Sequence, residues 1–314
     1  MLDVTQAPYN CRFDWTGDDS TATDNYEGLQ NAINDASTLT SPGIDRGGSI
    51  GDAIFLPSGT GLVSKKLVLP FGVYMKGVNC YSTVLKMSDD FAIYDHFIDV
   101  GDATTHMAAM NCGLSDMILY SRNTDANNNK AMVFTNNAQD TYPIVGRCRI
   151  YAGNRAAIWG EIGYGGASII NFCNINCHNN GSLNGIVSPP IIYLNYGSGT
   201  MISIDGCEPA GPQGAGTNQI GLFLGGGNFD IRRLHAEQVW TGAMVDVAND
   251  GHAHFEHCTG GNLTNQLITI NNRPSQAGKI SVKNVYKNGS VYTVLNGLPG
   301  GVSITSDILA ERIF

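Results

Sequence analysis

Glu208, His235 and Glu237 have the types and spacing for acid–base chemistry. Glu208 and His235 each follow a hydrophobic residue, Cys207 and Leu234, that closes one copy of a short repeated phrase. If the copies stack as neighbouring strands, Glu208 lies beside His235, and Glu237 lies two residues further along on the same face. The Glu208–Glu237 diagonal is then about 7–8 Å between backbones, which leaves room for a water between two carboxylates. Such a pair hydrolyses a glycosidic bond, with Glu237 as general acid beside His235 and Glu208 as base or transition-state stabiliser. Tyr151, Tyr286 and Trp240 offer rings for sugar stacking, and Arg149 and Arg233 offer cations. On a uronate the same set supports a lyase variant: His235 or Tyr286 takes the proton α to a carboxylate that Arg149 or Arg233 neutralises. Pro209 interrupts the alternation directly after Glu208 and is positioned to turn that carboxylate away.

The phrase that positions these residues reads ISIDGC at 202–207, FDIRRL at 229–234, AHFEHC at 253–258 and ISVKNV at 280–285, with looser copies CGLSDM (112–117), PIVGRC (143–148) and SIINFC (168–173). Its closing residues are Met117, Cys148, Cys173, Cys207, Leu234, Cys258 and Val285, spaced 24 to 34 residues apart, the period of a solenoid coil. A second apolar run precedes most copies: AMVF (131–134), IIYL (191–194), IGLFL (220–224), AMVDV (243–247), LITI (267–270) and VYTV (291–294). Several short strands and no helix-length segment per coil predict an all-β parallel β-helix of roughly seven to nine coils. Two-residue breaks such as Ser115-Asp116, Asp205-Gly206, Arg232-Arg233, Glu256-His257 and Lys283-Asn284 read as bends, where Asn and Gly tolerate positive φ. One column, Asn171, Asp205, Arg232, Glu256 and Lys283, alternates in sign and reads as a structural ladder. A second column is predicted as Arg149, Asn174, Glu208, His235, Thr259 and Tyr286, with Tyr151, Asn176, Glu237 and Asn288 two residues further along.

Residues 24–36 predict a helix, with Asp24 as N-cap, Glu27 three residues later and Tyr26, Leu29, Ala32, Ile33 and Ala36 on one face, placed to lid the open end of a solenoid. The expected division is an N-terminal segment with this helix at 1–52 and the β-helix at 53–314. The chain has 314 residues, 42% hydrophobic and 14% charged, a net charge of −9 and no basic cluster, which argues against nucleic acid or an anionic membrane as partners. Four of the eight cysteines close the phrase and are expected to be buried thiols. No apolar run approaches membrane-spanning length, and the N-terminus lacks the basic and apolar regions of a signal peptide. Asp230, His254 and His252 lack metal-ligand spacing, so no metal or cofactor is expected. Asp18-Asp19 and Asp89-Asp90 read as turn chemistry, and the glycines at 211–216 and 225–227 as corners.

The order Gly17-Asp18-Asp19, Asp24, Ala32-Ile33 and Ala36, then Ile54-Phe55-Leu56-Pro57-x-Gly59, Leu67-x-Leu69-Pro70 and Val73-x-Met75-x-Gly77 resembles the N-terminal signature of the pectate-lyase-like β-helix superfamily, above all phage tailspike and pre-neck appendage proteins. The match runs motif by motif over about the first 90 residues and by architecture beyond them. It implies a right-handed parallel β-helix in a homotrimer of the virion tail, made in the host cytoplasm and joined to other tail proteins, that binds and often cleaves bacterial surface polysaccharide. A non-catalytic structural or glycan-binding tail protein is the alternative. The WIDH-like and RxPxxR-like strings of pectate lyases and the GHG and RIK strings of polygalacturonases are absent, so the resemblance carries over no catalytic residue.

Overall fold

A computed structural model of the chain describes residues 2–38, 53–70, 72–101, 112–121, 130–136, 143–161, 168–179, 189–196, 200–211, 219–246, 252–264, 266–271, 279–285, 292–295 and 303–307. Every strand pairing within it is parallel and joins one coil to the next, so the described chain is a parallel β-helix with three faces. The first face runs from Leu2–Asp3 through Asn228–Arg232, His252–Glu256 and Lys279–Lys283 to Ser303–Asp307. The second contains Gly59–Val63, Thr83–Met87, the later halves of Gly113–Tyr120, Pro143–Gly153, Ser168–Asn179 and Thr200–Ala210, then His235–Glu237 and Thr259–Gly261. The third is a nine-stranded sheet that starts at Leu67–Leu69 and includes each apolar run named above.

Alternation puts apolar columns inside the faces. On the first face Met75, Leu114, Val145, Phe172, Ile204, Ile231, Phe255 and Val282 lie in register and are buried. Burying such a side chain contributes about 1.5–3 kcal/mol, so each rung of the column adds to the stability of the fold.

The bend between the first two faces repeats with little change. Asp116, Arg147, Asn174, Gly206, Arg233, His257 and Asn284 hold φ between 47° and 72°, one in each of seven successive coils. Asp116, Asn174, Gly206, His257 and Asn284 are residue types enriched in this left-handed conformation, whereas Arg147 and Arg233 are not. Arg147 reaches back one coil to Asp116 through Nε–Oδ1 at 2.6 Å and Nη2–Oδ2 at 2.7 Å, and Arg233 holds Asp205 in the same two-pronged way at 2.6 Å each. Burial would raise the Asp116 carboxyl, but Arg147 prevails and holds it below the usual range.

The bend corrects one stretch of the expected register. Cys148 and Cys207 pair with Ile175, and Cys173 sits with Gly146 and Asp205 at the start of the bend, so the copy at 168–173 is displaced by two residues. Asn171 therefore pairs with Ser203 and is not part of the charged column. Asn176, not Asn174, stands between Arg149 and Glu208. Cys148, Cys207 and Cys258 do close the column as buried thiols, and burial pushes Cys148 and Cys258 up to about 12.

The helix spans Tyr26–Thr38 and buries Leu29, Ala32, Ile33 and Ala36. Its ladder begins at the carbonyl of Asn25, which accepts from Leu29 N–H at 2.9 Å, so Asn25 is the cap and Asp24 stands one residue earlier, accepting from Tyr26 N–H at 3.1 Å. The buried Asn25 amide accepts from Arg12 N–H at 2.6 Å and donates to the carbonyls of Arg12 and Leu62. Gln30 docks the helix on the sheet edge: its amide donates to Val68 C=O at 3.2 Å and accepts from Val68 N–H at 3.0 Å, taking the place of a missing strand.

On the outer side of the third face, Phe134, Trp159, Tyr193 and Phe223 are in register and half-buried. Trp159 and Tyr193 stack at 4.1 Å, and Tyr193 and Phe223 at 4.9 Å with planes 3° apart. His96 stacks on Phe134 at 4.2 Å and extends the series. Inside the same face, a side chain on Gly160 would begin 2.1 Å from the Tyr196 hydroxyl, so only glycine leaves room for that buried phenol. Among the described residues no helix is long and apolar enough to cross a membrane.

Candidate functional site

Along the second face the register defines two adjoining columns of positions. One is Ile118, Arg149, Asn176 and Glu208, continued by His235 and Thr259; the other is Tyr120, Tyr151, His178, Ala210, Glu237 and Gly261. The register pairs Ala210 with Glu237, and counting back two residues along both strands sets Glu208 beside His235. The two carboxylate-bearing residues are therefore diagonal across neighbouring strands. Pro209 stays in register with Cys177 and is buried, so it keeps the alternation and leaves Glu208 on the outer face.

His235 is exposed, and its Nδ1 shares a 2.7 Å hydrogen bond with Thr259 Oγ1 on the next coil. Glu237 is half-buried. The point where a side chain would begin on Gly261 lies 3.9 Å from His235 Cε1 and 4.0 Å from Glu237 Oε1. A glycine here leaves open the floor that these two side chains border.

The carboxylates of this face differ from those of the first face and the bend. Asp116 and Asp205 are held by arginines; Asp230 is held by Arg232 at 3.0 Å, and Glu256 by Lys283 at 3.3 Å. The expected charged column is in register from Asp205 to Lys283, yet Arg232 turns to Asp230 on its own strand and Asp205 goes to Arg233, so only Lys283–Glu256 pairs along it. Among the described residues neither Glu208 nor Glu237 has an ion-pair partner.

Of the sugar-contacting residues expected from sequence, Tyr151 and Arg149 are on this face but lie towards its N-terminal end. Arg149 stands two strand spacings from Glu208, roughly 9.6 Å, and three from His235, roughly 14 Å. Arg233 lies at the bend with its guanidinium on Asp205. Trp240 follows the turn at Gln238, where its N–H donates to Gln219 C=O at 2.8 Å at the start of the third face. Tyr286 lies outside the described residues. The structure adds two rings that the sequence reading missed: Tyr120, in register with Tyr151 and 5.5 Å from it, and Tyr81, whose ring lies 5.1 Å under the Arg149 guanidinium. Tyr120 was open to prediction from the copy at 112–117, because it stands three residues after Met117 as Tyr151 stands three after Cys148.

On the first face His254 Nδ1 shares a 2.5 Å hydrogen bond with Ser281 Oγ, and its Nε2 is 3.9 Å from Glu256. Asp230, its neighbour in register, is held by Arg232. Among the described residues no three His, Cys, Asp or Glu side chains gather into a metal-binding group.

The fold is a parallel β-helix, an architecture that is also found in phage proteins, a tailspike domain among them. Similar solved structures include the ORF18 protein of Geobacillus virus E2, at 16% identity and a TM-score of 0.55, covering 99% of this chain and 62% of that one. The enzymatically active domain of tailspike protein 4 from bacteriophage CBA120 is 12% identical with a TM-score of 0.53, covering 96% of this chain and 43% of that one. The chain thus spans less than two thirds of either protein. No family model matches the sequence, and no curated protein aligns to it.

Proposed function

We propose that the chain is a phage tailspike-type protein that binds bacterial surface polysaccharide along its second face and hydrolyses it there, in a homotrimer of side-by-side prisms. One observation carries this reading: Glu208, His235 and Glu237 share a face on which neither carboxylate is ion-paired among the described residues, while Asp116, Asp205, Asp230 and Glu256 of the bend and first face are. Glu237 protonates the leaving oxygen, and Glu208 activates a water from the diagonal position. His235, steadied by Thr259, borders the same floor. The lyase variant is less well supported, because Arg149 is roughly 14 Å from His235 and a base must work next to the carboxylate that is neutralised.

Reducing-end release from purified bacterial polysaccharides tests hydrolysis, and absorbance of an unsaturated uronate tests elimination. Glu237→Gln should lower reducing-end release by about 100-fold or more and leave polysaccharide binding and sedimentation as a trimer intact. Full activity in that variant assigns the chemistry elsewhere. Binding with neither signal favours the second reading, a glycan-binding tail component without catalysis, which the ring cluster around Arg149 also suits.

A further inference from the structure

The N-terminal end of the second face carries a cluster that the hydrolytic reading does not use. Arg147, Arg232 and Arg233 each grip a carboxylate, whereas Arg149, half-buried, has none among the described residues. Its guanidinium lies 5.1 Å from the centre of the Tyr81 ring, and Tyr81 is 73% exposed. A ring behind a guanidinium holds it in place and leaves its N–H edge for a planar anion. Two residues further along, roughly 6.6 Å, Tyr151 meets Tyr120 with ring planes 42° apart, and Tyr120 is 36% exposed.

We infer that Arg149, Tyr81, Tyr120 and Tyr151 form a subsite for an acidic sugar unit, its carboxylate on the Arg149 fork and its ring on the tyrosine pair. This rests on the glycan-binding reading above and adds to it the charge of the ligand and where that charge sits. Two carboxylate oxygens match two guanidinium N–H groups, which a lysine cannot reproduce. The subsite lies roughly 9.6 Å along the helix from Glu208, so the acidic unit is held away from the bond that is cut. The arginine therefore serves binding and not the chemical step.

The test uses a panel of purified capsular and O-polysaccharides, acidic and neutral, with the full chain in a direct binding assay. The acidic polymer that binds best is then carboxyl-reduced and measured again with wild type, Arg149→Gln and Arg149→Lys. The expected result is a preference for acidic polymers and a loss of about 10- to 100-fold on carboxyl reduction or on either substitution, with no further loss when reduction and substitution are combined. Cleavage of the acidic polymer by Arg149→Gln should show a raised KM and an unchanged kcat. Equal binding of the carboxyl-reduced polymer by wild type, or a preference for neutral polymers, overturns the acidic subsite and leaves the glycan reading standing. Binding to no polysaccharide in the panel overturns the glycan reading, and this inference with it. The wild-type comparison needs no variant, so a substitution that fails to fold leaves the test intact.

Discussion

His96 shows how one buried side chain shapes the response to acid. Its Nδ1 accepts from Ala131 N–H at 2.9 Å while its ring lies on Phe134, so it is held neutral. Burial, with Lys130, Lys66 and Arg155 adding to it, lowers its pKa from 6.5 to about 3. Between these values the unfolded chain binds the proton and the folded chain does not, so His96 contributes stability that is present above pH 6.5 and lost as pH falls towards 3. The slope attributable to it approaches about 1.4 kcal/mol per pH unit inside that window. Asp99, whose carboxyl burial raises, works in the opposite direction above its usual range. Urea unfolding of wild type and His96→Gln across pH 3.5 to 6.5 isolates the histidine, and the variant should have the flatter profile; parallel profiles would show that His96 does not titrate with folding. The cysteines follow from burial too. Cys148 and Cys258 should resist a water-soluble disulfide reagent in the folded protein and react on denaturation, because burial suppresses their thiolates.

At the scale of elements, the N-terminal helix is held by polar side chains as much as by its apolar face. The Asn25 amide bonds the backbone N–H and C=O of Arg12, so Asn25→Ala leaves these part-buried groups without that partner and should cost about 1–3 kcal/mol in a urea titration, while Leu62 C=O keeps its bond from the Asn25 backbone N–H. Gln30→Leu removes both bonds to Val68 and bares the first strand of the third face, and it should increase concentration-dependent self-association as well as lower the unfolding midpoint. The helix and its buried positions were legible in the sequence, from Leu29, Ala32, Ile33 and Ala36. Its cap was not, because Asp24 and Asn25 are both capping types and only the start of the ladder separates them. The register around 168–177 failed for a similar reason. Cys173 and Ile175 are both small enough and apolar enough to close the phrase, and the deciding feature is that Asn174 takes the left-handed bend. Arg147 at the equivalent bend was hidden as well, because its place is set by a carboxylate 31 residues earlier and not by local preference, whereas the Arg232-Arg233 break was read as a bend. The Glu208, His235 and Glu237 face was read correctly in register, since these residues follow copies of the phrase that need no adjustment.

Over the whole molecule the three faces divide the work. The first pairs Asp230 with Arg232 and Glu256 with Lys283, the second combines rings with carboxylates that have no ion pair among the described residues, and the third stacks aromatic side chains along its length. Loops differ in length from coil to coil while the bend stays the same, so variation is confined to the corners and the register of the faces is kept. The parallel rings of the third face also carry an optical consequence. Trp159 is one of three tryptophans in the chain, and it lies 4.1 Å from Tyr193, itself nearly coplanar in orientation with Phe223. Chromophores held this closely in a fixed, chiral sequence couple their electronic transitions, and near-ultraviolet circular dichroism reports that order. Tyr193→Leu should remove most of this signal and leave the far-ultraviolet β spectrum unchanged, so the third face can be followed by spectroscopy independently of the face proposed to bind glycan.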